Sequence, residues 1–470
     1  MLHHLSPSRA ALASACVSAA LVVVAPPGTA ETGAGPGPVA GRSSLLPVAR
    51  PTVEPIPDGL HGRPFVGLLE VPPGFVETEY LVSGTARPYA DPALVTEVFA
   101  PALPDLDAQP LPALPYTTRV VVVRPRDPGR SNGAAVVVWH NVTFGHDIGE
   151  WFNVGGEVVD DGWTYVEASV QLASLPALKA FDPVRYASVV LPGDAYAYDI
   201  YSQIAQALRH GDGNAGRPLS TVVALGASQS GTAMDSYLAD VQPRFERVYD
   251  GFLPAVANGP DHHTDRPVLR LLSENEIDGS SQGEDSRHYR QWEVAGSAHG
   301  SKRDFDYIGA QEMRDLGFDL VNQLAGDNGP FGTSDCRVNR FPTFQSHNAA
   351  LAAMLRWIRE GTAPKIQPRV RVEDGVIVRD RDGNAIGGIR YPAMAVPTAT
   401  YNRGGDCVAL DGRTEAFSAS RLRELYATRR SYERQVRAAV RASLRAGVLT
   451  PYDAAVIRAE STLSPRRRLA

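Results

Sequence analysis

Residues 221–231 limit what this chain can fold into more than any other part of its 470 residues. The first part, 221–226, is mostly apolar, as expected for a strand that is buried on both faces of a parallel sheet. Ser228 comes next, with the small residues Gly226 and Ser230 two positions away on either side, and a helical pattern follows. Small flanks allow a tight turn, because larger side chains would collide with the adjacent strand and helix. The segment therefore predicts a strand, a sharp turn that raises the Ser228 hydroxyl above the sheet edge, and a helix.

Apolar runs and helical patterns alternate along the rest of the chain. Runs that predict strands lie at residues 76–82, 117–123, 134–139, 163–170, 247–254, 267–272 and 291–295. Helical patterns lie at 194–208, with Asp194 as the expected N-cap, and at 348–360. This alternation indicates an α/β fold with a mostly parallel central sheet and helices on both faces.

A serine on such a turn becomes a nucleophile when a histidine takes its proton and an acid orients that histidine. On a sheet of this kind the acid and then the histidine follow the serine in the sequence. His299 lies just beyond one predicted strand, and Glu276 lies just beyond another. Glu274 is close enough to compete with Glu276, and Asp278 less so. We predict Ser228 as nucleophile, Glu276 as orienting acid and His299 as general base.

Two backbone N–H groups are expected to hold the oxyanion that forms when a serine attacks a carbonyl. One belongs to Gln229, which follows the nucleophile, and the other to the loop after the strand at 134–139, where Val142 is the best candidate. Ser230 is a rival nucleophile, but its flanks would be Ser228 and Thr232, which fit a tight turn less well. We expect Ser230 to cap the helix instead.

Three aromatic residues, Phe144, Trp151 and Tyr196, are predicted to line a substrate pocket, although aromatic residues are more often plain core. Possible metal ligands occur at His140, His146 and Asp147, at 261–263 and in a calcium-like run at 380–384. In none of these groups are the ligands complete and spaced along the sequence as they are in helical or loop metal sites. No phosphate-cradling glycine motif is present. We therefore predict neither a metal nor a cofactor.

The first thirty residues predict a secretory signal. They contain no acidic residue and one basic residue, Arg9, followed by an apolar stretch at 10–25 and small residues up to Ala30. A membrane anchor is the alternative, but the stretch is shorter than the ~20 residues that a span requires. A lipid anchor attached to Cys16 is a second and weaker alternative. We expect cleavage near Ala30, export to the cell envelope or beyond, and no stable membrane span in the mature chain.

Two cysteines, Cys336 and Cys407, remain after that cleavage, and in an exported protein we expect them to form a structural disulfide. Cleavage also leaves 45 basic and 52 acidic residues, a net charge of -7, because 46 basic residues lose Arg9. An acidic balance argues against a nucleic-acid partner. The sequence gives no indication of an oligomeric state.

Composition and pattern divide the chain into four parts, one of which contains an insertion. We predict a signal peptide at 1–30, a Gly/Pro-rich linker at 31–58, a catalytic domain at 59–365 with a possible lid insertion at 300–347, and a C-terminal extension at 366–470. The extension is expected to pack on the catalytic domain, because the predicted disulfide would join the two.

Several motifs resemble those of bacterial alpha/beta hydrolase domain-containing proteins, an esterase-like branch of the α/β-hydrolase superfamily. They lie at 139–143, 181–186, 192–203, 226–230, 249–252, 295–299 and 348–357. The resemblance covers roughly residues 60–430 and implies an α/β-hydrolase fold and ester hydrolysis, with Ser228, Glu276 and His299 in the positions of nucleophile, acid and base. The chain departs from the pattern by having Glu where this branch more often has Asp, and by lacking the Arg often found after the turn.

Three functions are compatible with these residues. The first is a secreted serine hydrolase that cleaves small carboxylic esters through an acyl-enzyme on Ser228. The second is an acyltransferase with the same triad, in which an alcohol replaces water. The third is a catalytically silent binding or cell-envelope protein on a hydrolase scaffold, since a fold does not fix a function. Product analysis with alcohol acceptors separates the first two, and labelling by a fluorophosphonate separates both from the third.

Overall fold

The computed structural model describes residues 45–89, 112–259, 264–278, 283–321, 337–403 and 412–461. The predicted signal sequence and both cysteines of the predicted disulfide, Cys336 and Cys407, lie outside the described residues, as does the segment 261–263. Parts of the predicted linker and of the predicted lid insertion are described.

A nine-stranded sheet forms the centre of the described part of the chain. Its strands are β1 (Thr52–Pro55), β2 (Phe75–Ala86), β3 (Leu114–Pro125), β4 (Ala134–Trp139), β5 (Thr164–Ala168), β6 (Thr221–Ala227), β7 (Gly251–Ala255), β8 (Val268–Leu272) and β9 (Tyr289–Glu293). They lie in the order β1-β2-β3-β5-β4-β6-β7-β8-β9. The first three strands pair antiparallel with one another, and β3 also pairs antiparallel with β5. From β5 onward the neighbours in the sheet, β5-β4-β6-β7-β8-β9, all pair parallel.

Helices cover both faces of this sheet. The α-helices of the described residues are α1 (Trp151–Asp161), α2 (Leu175–Phe181), α3 (Ala197–Arg209), α4 (Gln229–Ser236), α5 (Lys302–Asp315), α6 (Phe344–Glu360), α7 (Pro392–Ala395), α8 (Ala419–Leu425), α9 (Arg429–Ala446) and α10 (Pro451–Ser461). Two small hairpins pair β10 (Val372–Glu373) with β11 (Val376–Ile377) and β12 (Ala399–Asn402) with β13 (Arg413–Ala416).

The side chains of β4 point alternately to the two faces of the sheet and show why helices must pack on both faces. Every residue of β4 is buried. Val136 and Val138 belong to the core beneath α1 and α6, whereas Ala135 and Val137 belong to the core beneath α3 and α4. A strand that is apolar on both sides must be covered on both sides, because each exposed face would leave apolar area in water. The predicted fold class, a mostly parallel α/β sheet with helices on both faces, is confirmed.

Two local features differ from the sequence expectations. Asp194 does not cap the helix that follows it: the helix α3 begins at Ala197 after a 3-10 turn, and the Asp194 carboxylate accepts a hydrogen bond from Leu172 N at 2.7 Å. Strand β1 lies within the segment 31–58, predicted as a linker, so ordered structure begins before residue 59.

The C-terminal part of the chain packs against the sheet. Ile389 forms a parallel bridge with Val294, directly beyond β9. The Asn348 side chain of α6 accepts from Glu157 N in α1 at 3.0 Å and donates to Asp453 in α10. Residues from α9 and α10 share one apolar core with α1 and α6. Among the helices of the described ranges, none is both long and apolar enough to cross a bilayer.

Candidate active site

The turn after β6 has the geometry that its small residues predict. Ser228 has φ 58° and ψ −120°, a conformation that costs energy for a residue with a side chain. A Cβ on Gly226 would lie 2.4 Å from the carbonyl oxygen of Ser230, and one on Gly231 would lie 2.7 Å from Cβ of Ala257. Glycine is therefore required on both sides of the serine. The fold stabilises the strained turn through a hydrogen bond from Ser228 N to Ala255 O in β7, at 2.9 Å.

Ser230 contributes to the turn and does not compete for the site. Its Oγ accepts from Ala227 N and donates to Ala227 O, both at 2.9 Å. The side chain is buried. Ser230 therefore closes the turn from within the first residues of α4.

Ser228, His299 and Glu276 form one hydrogen-bonded chain. The distance from Ser228 Oγ to His299 Nε2 is 2.8 Å, and His299 Nδ1 lies 2.6 Å from Glu276 Oε1. Because an ionised carboxylate only accepts hydrogen bonds, Nδ1 carries the proton and Nε2 is left to accept from the serine hydroxyl. The His299 side chain is 18% exposed and that of Glu276 is 8% exposed. Ser228 and His299 are thus accessible to a ligand, while Glu276 is enclosed by the protein.

Sheet order brings these residues together. They follow β6, β8 and β9, whose carboxyl ends lie at one edge of the sheet. Glu276 is held from behind, because its Oε2 accepts from Ser273 N at 2.9 Å and from Ser273 Oγ at 2.6 Å. This leaves Oε1 for the imidazole.

Glu274, the rival acid, points elsewhere. Its Oε1 accepts from Gly296 N at 2.7 Å and its Oε2 pairs with Arg379 at 2.7 Å. Burial raises the pKa of Glu274, although the charge of Arg379 opposes the rise. Glu274 therefore fixes the loop that leads to His299 and does not contact the imidazole.

The loop after β4 approaches the turn with Val142. The Asn141 side chain donates to Ala227 O at 3.1 Å and its oxygen accepts from Thr143 N at 2.8 Å. Val142 N donates to the side-chain oxygen of Gln229 at 3.4 Å. The N–H of Val142 therefore faces the first residue of α4, where the other predicted oxyanion donor lies.

The three predicted pocket residues lie in different surroundings. Phe144 is half-buried and packs against two small apolar clusters beside α5. Trp151 stacks edge-on against Tyr165 at 5.2 Å between ring centroids. Tyr196 is buried in the core on the α3 side of the sheet, and its hydroxyl donates to Pro112 O at 2.9 Å. Their roles in substrate binding remain predictions.

The histidines and acid considered as metal ligands are engaged in ion pairs. His140 lies 3.4 Å from Asp147 and 3.4 Å from Glu167, and Asp147 also pairs with Arg119 at 2.7 Å. Within the described ranges, no group of three or more His, Cys, Asp or Glu side chains is arranged to hold a metal ion.

Some residues of the site could not be recognised from the sequence. Asn275 accepts from His299 N at 3.0 Å and so fixes the backbone of the histidine. Its only sequence signal is its position between two candidate acids. Arg119, which pairs with Asp147 in the loop that carries Val142, could not be recognised either. It lies within an apolar strand pattern and is far from the Ser228 turn in sequence.

The strand–turn–helix at Ser228, and the order of serine, acid and histidine along the chain, are those of an α/β hydrolase. The chain belongs to the family described as alpha/beta hydrolase domain, whose model matches residues 51–459. The match confirms the family resemblance and places the chain among hydrolases. It also runs through most of the segment predicted as a C-terminal extension. No curated protein sequence matches the chain.

Similar solved structures include three enzymes. They are the esterase Est22 (13% identity, 46% of this chain and 51% of that chain, TM-score 0.25), a Klebsiella pneumoniae protein described as a dienelactone hydrolase (12%, 51% and 98%, 0.25) and the rice cell wall degrading esterase LipA from Xanthomonas oryzae (13%, 39% and 43%, 0.21). The matched part spans about half of Est22 and less than half of LipA. Similarities this remote carry no information about the reaction or substrate of this chain.

Proposed function

We propose that this protein is an exported serine hydrolase that cleaves small carboxylic esters. The observation that carries the proposal is the hydrogen-bonded chain from Ser228 through His299 to Glu276, on a strained turn at the carboxyl edge of the sheet. A serine hydroxyl bonded to an imidazole that is itself oriented by a carboxylate is the arrangement that activates serine for attack on an acyl carbon.

Acylation starts when Ser228 Oγ attacks the ester carbonyl carbon and His299 Nε2 takes the hydroxyl proton. The carbonyl oxygen becomes an oxyanion, which the N–H groups of Gln229 and Val142 stabilise. Collapse of this intermediate breaks the bond to the alkoxy oxygen, and His299 returns its proton to the departing alcohol. Glu276 holds the imidazole in one tautomer throughout and stabilises its positive charge.

Deacylation repeats the same steps with water. His299 takes a proton from the water, the hydroxide adds to the acyl carbon, and the second tetrahedral intermediate expels Ser228 Oγ, which recovers its proton from His299. The carboxylic acid then leaves. The side chains that act are supplied by this chain alone, so the proposal requires no cofactor.

Hydrolysis of short p-nitrophenyl esters by wild type and Ser228→Ala tests this function. We expect the variant to lose activity by at least ~10³-fold and to lose labelling by a fluorophosphonate, since both need the Oγ nucleophile. Ser230→Ala is the matched control, and we expect it to remain labelled. Full activity in Ser228→Ala would remove Ser228 as the nucleophile.

Acyl transfer and export are tested separately. Adding a short alcohol and separating the products distinguishes hydrolysis, which yields acid, from transfer, which yields a new ester. Expression of the full-length chain followed by mass spectrometry of the product tests export. A mature N-terminus near Glu31 supports cleavage after Ala30, and an intact N-terminus in the cell contradicts it.

A further inference from the structure

The loop that carries Val142 is closed at its base. Asn141 and Ile148 exchange two backbone hydrogen bonds, at 3.1 and 2.9 Å, so that residues 141–148 form a closed loop between β4 and α1. Gly145 N donates to Val142 O at 2.9 Å inside it. The loop therefore projects from the sheet edge as one unit, and the position of Val142 depends on what holds the loop from outside.

An inner ion pair holds the base of the loop. His140 precedes the loop and Asp147 lies within it, and both are buried beside Arg119 and Glu167. Burial alone lowers the pKa of His140, but the charges of Asp147 and Glu167 outweigh it and raise the pKa to about 9. His140 is therefore a cation at neutral pH, placed between two carboxylates.

An outer ion pair joins the loop to α5. His146 Nε2 lies 2.7 Å from Glu312 Oε1, and His146 Nδ1 lies 2.9 Å from the carbonyl oxygen of Asp147. Both ring nitrogens face oxygen atoms, an arrangement that favours the imidazolium form, in which both nitrogens donate. Burial alone lowers the pKa of His146, but the hydrogen bond and charge of Glu312 raise it. The two side chains are 2% and 0% exposed.

The position of Glu312 makes this pair relevant to the site. Glu312 lies on α5, which begins three residues after His299. Its second oxygen accepts from Val321 N at 2.8 Å, which fixes the carboxylate. Apolar groups lie next to this pair: the Phe65 ring packs edge-on against His146 at 6.3 Å between ring centroids, and Val321 belongs to a buried apolar cluster with Ile148 and Ile308. In such surroundings a paired charge is held firmly, because separating it would leave a buried ion without a partner.

We propose that His146 is a positioning residue, whose ion pair with Glu312 fixes the loop bearing the Val142 N–H relative to the helix that follows His299. The base, His299, and the oxyanion donor, Val142 N–H, then face the same carbonyl group of the substrate. This inference rests on the proposed ester hydrolysis at Ser228. Its physical basis is that a misplacement of about 1 Å within a catalytic arrangement can cost ~10²-fold in rate.

The test compares His146→Ala with wild type in two measurements. The first is kcat and KM for a p-nitrophenyl ester, per active site as titrated with a fluorophosphonate. The second is the inhibition constant of an alkyl trifluoromethyl ketone. Ser228 Oγ adds to the ketone carbon, the carbonyl electrons move to oxygen, and His299 keeps the proton, so the adduct places an oxyanion at the two N–H groups. We expect kcat to fall ~10–100-fold, KM to stay within about threefold, and ketone binding to weaken ~10-fold or more.

A conservative variant separates positioning from mere stability. In Glu312→Gln the amide can still accept from Val321 N and donate to a neutral His146, so the geometry is kept while the charges are removed. We expect a loss in kcat of no more than ~5-fold, smaller than that of His146→Ala. Arg209→Gln is the matched control, because it breaks an ion pair with Asp250 that lies far from the loop. It should leave ketone binding unchanged.

Ketone binding decides the outcome. If titrated His146→Ala binds the ketone as tightly as wild type, the positioning role is overturned, even when the variant is less stable. If His146→Ala does not fold, His146→Gln is measured by the same criterion. Retained activity in Ser228→Ala would instead overturn the proposed function, and this inference with it. If only the positioning role is wrong, Ser228→Ala still loses its activity, so the two failures can be told apart.

Discussion

Glu274 and Glu276 are two positions apart and carry the same functional group, yet they contact different partners. Glu276 reaches the His299 imidazole, while Glu274 is fully buried between Gly296 N and Arg379. The sequence favoured Glu276 and kept Glu274 as a competing acid. The choice depends on how the turn after β8 directs each side chain, and this is a property of the folded backbone.

Glu276→Gln is predicted to lower kcat by ~10³-fold or more without unfolding the protein. The amide cannot stabilise a charged imidazolium and favours the wrong tautomer of His299. Steady-state kinetics on a p-nitrophenyl ester measure the effect, and the thermal midpoint reports folding. A Glu276→Gln variant with wild-type kcat would show that the carboxylate has no part in catalysis.

Glu150 predicts a dependence of stability on pH. Burial raises its pKa to about 8, Asn153 opposes the rise through a hydrogen bond, and the carboxylates of Asp304 and Glu167 add to it. An acid whose pKa is raised on folding binds its proton more tightly in the folded state. The free energy of unfolding therefore falls as the pH rises from its usual pKa of 4.5 to about 8.

Glu150→Gln removes this titration, so we expect its advantage in thermal midpoint over wild type to grow between pH 5 and pH 9. Thermal unfolding at three pH values measures the difference. Glu373→Gln, at an exposed position, is the control and should differ from wild type by a constant amount. Parallel midpoint curves for Glu150→Gln and wild type would contradict the prediction.

At the scale of elements, β6, the turn and α4 form the unit on which the site depends. Sequence pattern predicted this unit closely, because the need for small residues at a tight turn is local. The bounds of β2, β5 and β7 were less well predicted. β7, expected at 247–254, is formed by Gly251–Ala255, since strand ends are set by hydrogen bonds to neighbouring strands and not by the strand's own residues.

Gly226→Ala is predicted to destabilise the turn by about 1–3 kcal/mol and to lower kcat at least ~10-fold. The added Cβ would lie 2.4 Å from Ser230 O, so the backbone must shift and carry Ser228 with it. Gly129→Ala is the matched control, on an exposed 3-10 turn where the nearest atom is Asp127 Oδ1 at 3.3 Å. Equal activity and equal stability in the two variants would contradict the requirement for glycine.

At the scale of the whole molecule, residues beyond 365 are connected to the site. Arg379 pairs with Glu274, and Arg403 donates to the carbonyl oxygens of Glu274 and Ile277 at 3.1 and 3.0 Å. These contacts surround the turn that bears Glu276. The boundary at residue 365 stays a prediction, but the C-terminal part supports the acid end of the site.

Arg379→Gln is predicted to lower the free energy of unfolding by ~3 kcal/mol, because it leaves Glu274 buried without its cation. Removing one partner of a buried ion pair costs ~3–5 kcal/mol, and we expect the lower end of that range because the Arg379 side chain is 26% exposed. The double variant Glu274→Gln/Arg379→Gln should recover part of the loss. Denaturant unfolding is measured for wild type, for Glu274→Gln and Arg379→Gln, and for the double variant.

Arg371→Gln, which breaks an exposed ion pair with Glu373, is the control and should have little effect. If the double variant is as unstable as the sum of the two single variants, the two residues do not interact and the prediction fails.

The fold class could be predicted from the amino-acid pattern, which also named Ser228, Glu276 and His299 in order. Both follow from local rules, because apolar periodicity specifies elements and a strained turn admits few residues. The folded chain was needed to show that Glu276 and not Glu274 contacts the imidazole, and that His146 joins the Val142 loop to α5. Those contacts link residues up to 166 positions apart, and their partners are chosen by the packing of whole elements, which no short stretch of sequence encodes.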